Sequence, residues 1–233
     1  MNKMPVVDVI TIDGPAGSGK STISRVLAAK MDYAYLDTGA MYRAVALAAK
    51  RKGIGMDDGT KLGELCANLN LRFGVDQDPP RLFMENEDIS EQIRSPEIDM
   101  LSSSVSAVKE VRVAMCDLQR KMSHGRSMGL VAEGRDMGTV VFANARFKFL
   151  LTASLEERAS RRHLELLLRG KTIEKTTVMS NLKKRDHQDE NRALAPLKAA
   201  PDALIIDSTG MKIENVVECM LKHIGNLDLL RSI

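Results

Sequence analysis

Aromatic side chains are scarce in this sequence. Phe, Tyr and Trp make up 3% of 233 residues, and Trp is absent. Binding of single-stranded nucleic acid relies on aromatic platforms for the bases, so the shortage argues against that class. Charge of one sign is scarce too: 34 Lys and Arg face 31 Asp and Glu, a net charge of +3. That excess is too mild to mark a nucleic-acid binder by itself. Cysteine is limited to Cys66, Cys116 and Cys219, far apart and without a CxxC pair. Neither a disulfide framework nor a zinc site follows, and reduced, buried thiols are the reading. No apolar run approaches the roughly 18 residues of a membrane span. The stretch MNKMPVVDVITID lacks a long apolar signal region, so a soluble, cytoplasmic chain is expected. Repeats and low-complexity segments are missing as well, and the 14 methionines read as adaptable core filler.

What is present is a hydrophobic fraction of 44%, enough for a sizeable core. Val6–Ile12 is a short β-branched run closed by Asp13 and Gly14, which predicts a buried parallel strand. Ser21–Met31 puts Ile23, Val26, Leu27 and Met31 at helical spacing. Tyr33–Leu36 reads as a strand, and Ala40–Lys52 as a helix ended by Gly53. Strand, helix, strand, helix is the doubly wound α/β pattern. Leu65–Ser95 breaks that rhythm. There LNLRFGVD alternates, and RLFMENEDIS reads as two short strands around a turn near Asn86, so a small antiparallel insertion is expected. Ser95-Pro96-Glu97 opens a helical stretch reaching Ser123. Strands are expected at Leu130–Ala132 and Phe147–Leu151. Ser154 and Glu157 have capping-box spacing for a helix ending near Gly170. After the polar stretch Glu174–Arg192 come a last strand, Ala203–Ile206, and a helix with Ile213, Val216, Val217, Met220, Leu221 and Ile224 on one stripe.

Between the first strand and the first helix lies GPAGSGKST, residues Gly14, Pro15, Ala16, Gly17, Ser18, Gly19, Lys20, Ser21 and Thr22. It fits the phosphate-binding pattern GxxxxGK[ST] in the context that pattern requires. Glycines allow successive N–H groups to point at one anion, and the helix presents its positive end to the same anion. Lys20 can reach the β- and γ-phosphates of a nucleoside triphosphate, and the Ser21 hydroxyl can ligate Mg²⁺.

Nucleotide binding alone leaves the reaction open. A GTPase would need a base-reading NKxD segment, but Asp207-Ser-Thr-Gly210 has none after it and reads as a strand-end turn. A transport ATPase would end an apolar strand in Asp-Glu, where FKFLLTAS ends in Thr152 and Ser154. A kinase of small acceptors is the favoured class. Ligands of a doubly wound sheet collect at the carboxyl ends of its strands. Arg43 and Arg135 sit just past two such ends, placed for a phosphorylated acceptor or for surface salt bridges. Arg185 and Arg192 bracket the polar segment, and Asp189 lies three residues before Arg192, a spacing that a plain helical ion pair would share.

The segments GPAGSGKST, LDTGAMYRA, SEQIR, VAEGRDMGTVVF, ERASRR and KRDHQDENRALAPL, in this order, resemble the bacterial cytidylate kinase family over essentially the whole chain. The resemblance implies ATP- and Mg²⁺-dependent phosphorylation of CMP and dCMP on a P-loop α/β sheet, with an antiparallel nucleotide-monophosphate insertion and a helical lid. By the resemblance, residues 1–64, 105–167 and 197–233 are core, 65–104 the insertion and 168–196 the lid. It implies that Arg43, Arg135 and Arg192 hold the CMP phosphate. Thr38, Ser103, Arg112 and Asp136 would read cytosine, and Tyr42, Arg185 and Asp189 the sugar side. Asp136 is equally placed for a pairing with Arg135 or Arg43, and Ser103 for an ordinary helix surface. Lys20, Arg135, Arg185 and Arg192 would carry the charge of transfer. The sequence departs from the family at Thr38, where Ser is frequent, at Glu133, where Asp is common, and at Gln188, where some relatives have a lid arginine. Arg158 and Arg162 would then supply cations to the triphosphate. A monomer acting on small molecules, with no nucleic-acid or membrane partner, is expected. Two alternatives are a kinase of another acceptor, such as UMP, AMP or shikimate, and a nucleotide-binding regulatory or RNA-associated module without phosphotransfer.

Overall fold

The computed structural model describes residues 8–74, 77–123 and 128–231, without the side chains of 227–231. Val6 and Val7 of the expected first strand, and Val75 and Asp76 of the alternating stretch, lie outside the described residues. The chain divides into two compact units.

The first unit holds β1 (Val9–Asp13), α1 (Lys20–Met31) and β2 (Ala34–Asp37), the last through Leu36. It continues with β6 (Leu130–Gly134), β7 (Phe147–Thr152), α6 (Leu155–Leu168), α7 (Lys175–Asn191), β8 (Leu204–Asp207) and α8 (Ile213–Arg231). The strands form one sheet in the order β2-β6-β1-β7-β8. β1 is central and parallel to both neighbours, Asp13 standing level with Gly134 on one side and Leu150 on the other. Every residue of β1 and β6 is buried, as expected for strands covered on both faces. One core cluster runs from Ile10 and Ile12 through Phe147 and Phe149 to Ile23 and Leu27 of α1 and Val217 and Met220 of α8. The Ser154 hydroxyl accepts from the Glu157 N–H and starts α6, as the capping spacing predicts. Asp207 accepts from the Thr209 N–H, and Gly210 takes a φ of 67°, so the DSTG segment is the expected strand-end turn.

Between β6 and β7 lies an unexpected turn of π-helix over Met137–Val141, closed by Phe142 N–H to the Met137 carbonyl. Such turns need i−5 bonds that no apolar period encodes, and they recur at functional sites.

The second unit runs from Asp37 to the end of α5 and includes Arg192–Leu194. It comprises α2 (Thr38–Arg51), α3 (Gly59–Ala67), the antiparallel strands β3 (Leu71–Phe73), β4 (Leu82–Met84) and β5 (Glu87–Asp88), then α4 (Pro96–Val105) and α5 (Lys109–Ser123). The three strands form their own sheet in sequence order, with Glu85 at positive φ in the turn before Asn86. Three differences from the expected pattern have physical causes. α2 starts at Thr38 rather than Ala40 because the Asp37 carboxylate accepts from the Ala40 N–H and caps it. α3 replaces the start of the expected insertion at Leu65, capped by Asp58 on the Lys61 N–H. The single helix expected up to Ser123 breaks at residues 106–108, where the Ser106 carbonyl turns to accept from the Arg112 guanidinium.

Candidate functional site

The loop from Gly14 to Gly19 leaves the end of the central strand and enters α1. The helical ladder begins with the Ile23 N–H on the Gly19 carbonyl, so the preceding N–H groups lie ahead of it, at the positive end of the dipole. Two glycines are required by geometry. A β-carbon on Gly14 would stand 2.1 Å from the Leu151 carbonyl oxygen, and Gly17 has a φ of 78° with Arg158 packed 3.1 Å from where its β-carbon would be. Gly14→Ala must therefore push β7 away or unwind the loop. A cost of at least about 2 kcal/mol is expected, a drop in melting temperature of roughly 4–8 °C for a chain of this size. A melt within 1–2 °C of wild type, on the order of the scatter expected for a neutral change, would show the close approach to be harmless.

Lys20 is buried, and its ammonium donates to the Pro15 carbonyl at 2.7 Å. Its pKa is held well below the usual lysine value, first by burial and then by the positive charge of Arg135 and Arg185, with Glu133 and Asp189 opposing. Ser21 is exposed on the first turn of α1, with half-buried Thr22 beside it. Pro15, Ala16 and Ser18 complete the loop, which α6 braces from behind. Arg158 donates to the carbonyls of Ala16 and Ala153 and to Asp186 at 2.7 Å. Arg161 donates to the Ser18 carbonyl, the Ser208 carbonyl and the Ser208 hydroxyl. Arg162 bonds Glu165 on its own helix. Arg161 is the arginine that the sequence left without a role. Its place three residues after Arg158, on the same helix face, was the available signal.

Level with the root of the loop, β6 delivers Glu133, Gly134, Arg135 and Asp136. Glu133 is buried and accepts from the Tyr35 hydroxyl. The Arg135 Nε donates to Asp189 at 2.8 Å, which ties α7 to the segment after β6. Arg185, one turn earlier on α7, is half-buried. Asp136 is 2% exposed, and its carbonyl accepts from the Val140 and Val141 N–H groups. Asp13 has both carboxylate oxygens bonded in the same turn, accepting from the Met137 and Gly138 N–H groups at 2.8 Å each. Sequence reading treated it only as the end of a strand. The signal lay in a charge closing a β-branched, mostly apolar run, Val9–Ile12.

In the second unit the other candidate residues form two groups. The Arg43 Nε donates to Asp99 of α4 at 2.8 Å. Arg112 lies over the Tyr42 ring, 5.8 Å from its centre, and donates to the Ser106 carbonyl, while Arg192 donates to the Ser106 hydroxyl. That hydroxyl donates to the carbonyl of Ser103. Thr38 is buried at the start of α2. Three cations, Arg43, Arg112 and Arg192, thus stand on one small unit, Arg43 paired with Asp99. The geometry suits an anionic ligand.

A glycine loop of this form between the central strand of a parallel sheet and a helix defines a P-loop nucleotide-binding protein. The cytidylate kinase family model matches residues 10–226. Cytidylate kinases of Geobacter sp. (strain M21) and Citrifermentans bemidjiense are each 49% identical over 212 residues, covering 91% of this chain and 90% of theirs. That of Vibrio cholerae is 44% identical over 216 residues, covering 93% and 95%. The chain belongs to the cytidylate kinase family. Among solved structures, a gluconokinase from Sinorhizobium meliloti 1021 has a TM-score of 0.50 at 11% identity, covering 97% of each chain. An uncharacterized protein from Eubacterium ventriosum has 0.54 at 11%, covering 95% of this chain and 99% of its own. At such identities the likeness is one of fold alone. No helix among the described residues is long and apolar enough to cross a membrane.

Proposed function

We propose that the chain transfers the γ-phosphoryl group of ATP to CMP or dCMP, giving ADP and CDP or dCDP. One observation carries the reading: the donor loop after Asp13 and the acceptor segment after Gly134 leave neighbouring parallel strands at the same level. Reactants gathered at that level are held for in-line transfer. No covalent intermediate or dedicated base is needed, because the acceptor oxygen is already anionic. Lys20, Arg135, Arg185 and Arg192 neutralise the charge that spreads over the transferring group. Arg43 joins them on the acceptor phosphate, and residues 168–196 act as a lid that excludes water.

Magnesium fits the donor set. Among the described residues no group of three His, Cys, Asp or Glu could hold a metal by itself. The exposed Ser21 hydroxyl would be the protein ligand of a Mg²⁺ ion brought in with the nucleotide, which suits an ion that dehydrates reluctantly. When bound it neutralises the β- and γ-phosphates.

The test supplies ATP and Mg²⁺ with CMP, dCMP, UMP, AMP or shikimate in turn and measures ADP. Strong formation with CMP and dCMP, and at least about tenfold less with UMP, is expected from a site that pairs the cytosine amino group. A response to another acceptor would keep the kinase and remove the cytosine site. Silence with all five would leave a nucleotide-binding module.

A further inference from the structure

We propose that Asp13 is a positioning residue for the acceptor: by taking the Met137 and Gly138 N–H groups on its two oxygens, it fixes the turn that directly follows Arg135 and Asp136. The inference rests on the reading of those two residues as acceptor ligands.

Asp13 is the last residue of the central strand, immediately before the glycine loop, and is 4% exposed. Its two bonds reach the turn 124 and 125 residues later in the chain. That turn begins directly after Asp136 and is a π-helical one, a form rare enough that a turn of it calls for outside support. Two consecutive N–H groups aimed at one carboxylate need both oxygens as acceptors, which only the ionised form offers in full. Protonation converts one acceptor into a donor facing a donor.

The charged groups that face Asp13 are Asp136, which disfavours its ionisation, and Lys20 of α1, which favours it. Burial is the largest influence, and the carboxyl is pushed up from 3.8 to about 6 against the pull of the two N–H bonds. The folded chain thus holds this proton more tightly than the unfolded chain. Stability from this group is present at low pH and is lost as pH rises from 3.8 to about 6. At neutral pH the ionised carboxylate is a cost to the fold, so what it gives in return lies in the turn. Buried groups that break the rules of stability in this way are where function is expected.

Two measurements test this. In Asp13→Asn one oxygen still accepts, and the other N–H meets a donor. The KM for CMP should rise roughly ten- to hundredfold, as for one lost buried hydrogen bond, with the KM for ATP within about threefold of wild type. Equal rises for both nucleotides, or a lower melting temperature with both KM values intact, would reduce Asp13 to a structural residue. The nucleotide phosphate itself titrates near pH 6, so the second measurement uses ligand-free wild-type protein and needs no variant. The Met137 and Gly138 amide resonances should shift together on acidification, with a midpoint at about 6. Amides unmoved from about pH 3 to about pH 8 overturn the inference even if the variant fails to fold. An active wild type with an unaltered variant sinks Asp13 alone, whereas a wild type silent with CMP sinks the reading beneath it.

Discussion

Lys20→Ala will lower turnover on the order of a thousandfold while leaving the fold standing. The activity loss follows from position. Lys20 opens α1 at the end of the loop, and a triphosphate there gains from a desolvated ammonium far more than from one in water. Removing a single preorganised donor from a transferring group costs about a hundred- to a thousandfold, and Lys20 brings a full charge besides. The stability side follows from burial. The folded pKa of Lys20 lies below the usual 10.5 because burial comes first and Arg135 and Arg185 add to it. The unfolded chain therefore binds this proton more tightly, and below the unfolded pKa the cation is a cost to folding. The variant should melt at or above the wild-type temperature. A bound triphosphate reverses the local sign, so ATP binding should take up protons in wild type and less in the variant. Coupled ADP assays, thermal melts and titration calorimetry in buffers of different ionisation heat read the three results. Activity near wild type would remove Lys20 from the chemistry, and with it the P-loop reading.

The contrast between Lys20 and Asp13 shows what the chain order reveals. GPAGSGKS is legible because its geometry is local: glycine, strand end and helix start stand within eight residues. The central strands β1 and β6 were legible because burial on both faces leaves short apolar runs. The contacts that make the site work are distant. Asp13 meets Gly138 across 125 residues, Arg135 meets Asp189 across 54, and Arg43 meets Asp99 across 56. No period or cap announces such pairs. Arg158 and Arg161 show the same limit. Nothing in their place in the chain announces that their guanidinium groups hold backbone carbonyls of the loop itself. A cation that braces a phosphate loop and one that binds the phosphate look alike in sequence. α3 was hidden for a simpler reason. Gly59 and Gly63 weaken its helical signal, and only the Asp58 cap marks its start.

Asp136→Ala will cut kcat/KM for CMP by roughly ten- to hundredfold and leave the KM for ATP within about twofold. Cytosine presents an exocyclic amino group where uracil presents a carbonyl. A carboxylate accepts from the first and repels the second, and burial sharpens the choice, because an unpaired polar group without water costs about 1–3 kcal/mol. Asp136 is 2% exposed, so water cannot stand in for a missing partner. Alanine removes both the attraction to cytosine and the penalty on uracil, so the CMP-to-UMP ratio should narrow from both sides. Asp136→Asn separates the two effects. Its amide offers a donor that a uracil carbonyl can use, so UMP should gain relative to CMP beyond what alanine gives. The Arg135 bond to Asp189 does not involve the Asp136 side chain, so the phosphate side is expected to stay as it was in either variant. The discriminating observation is therefore a ratio rather than a rate. If CMP and UMP fall together, and ATP with them, Asp136 shapes the turn through its backbone carbonyl alone, and the reading of the base lies with Arg112 and Ser103.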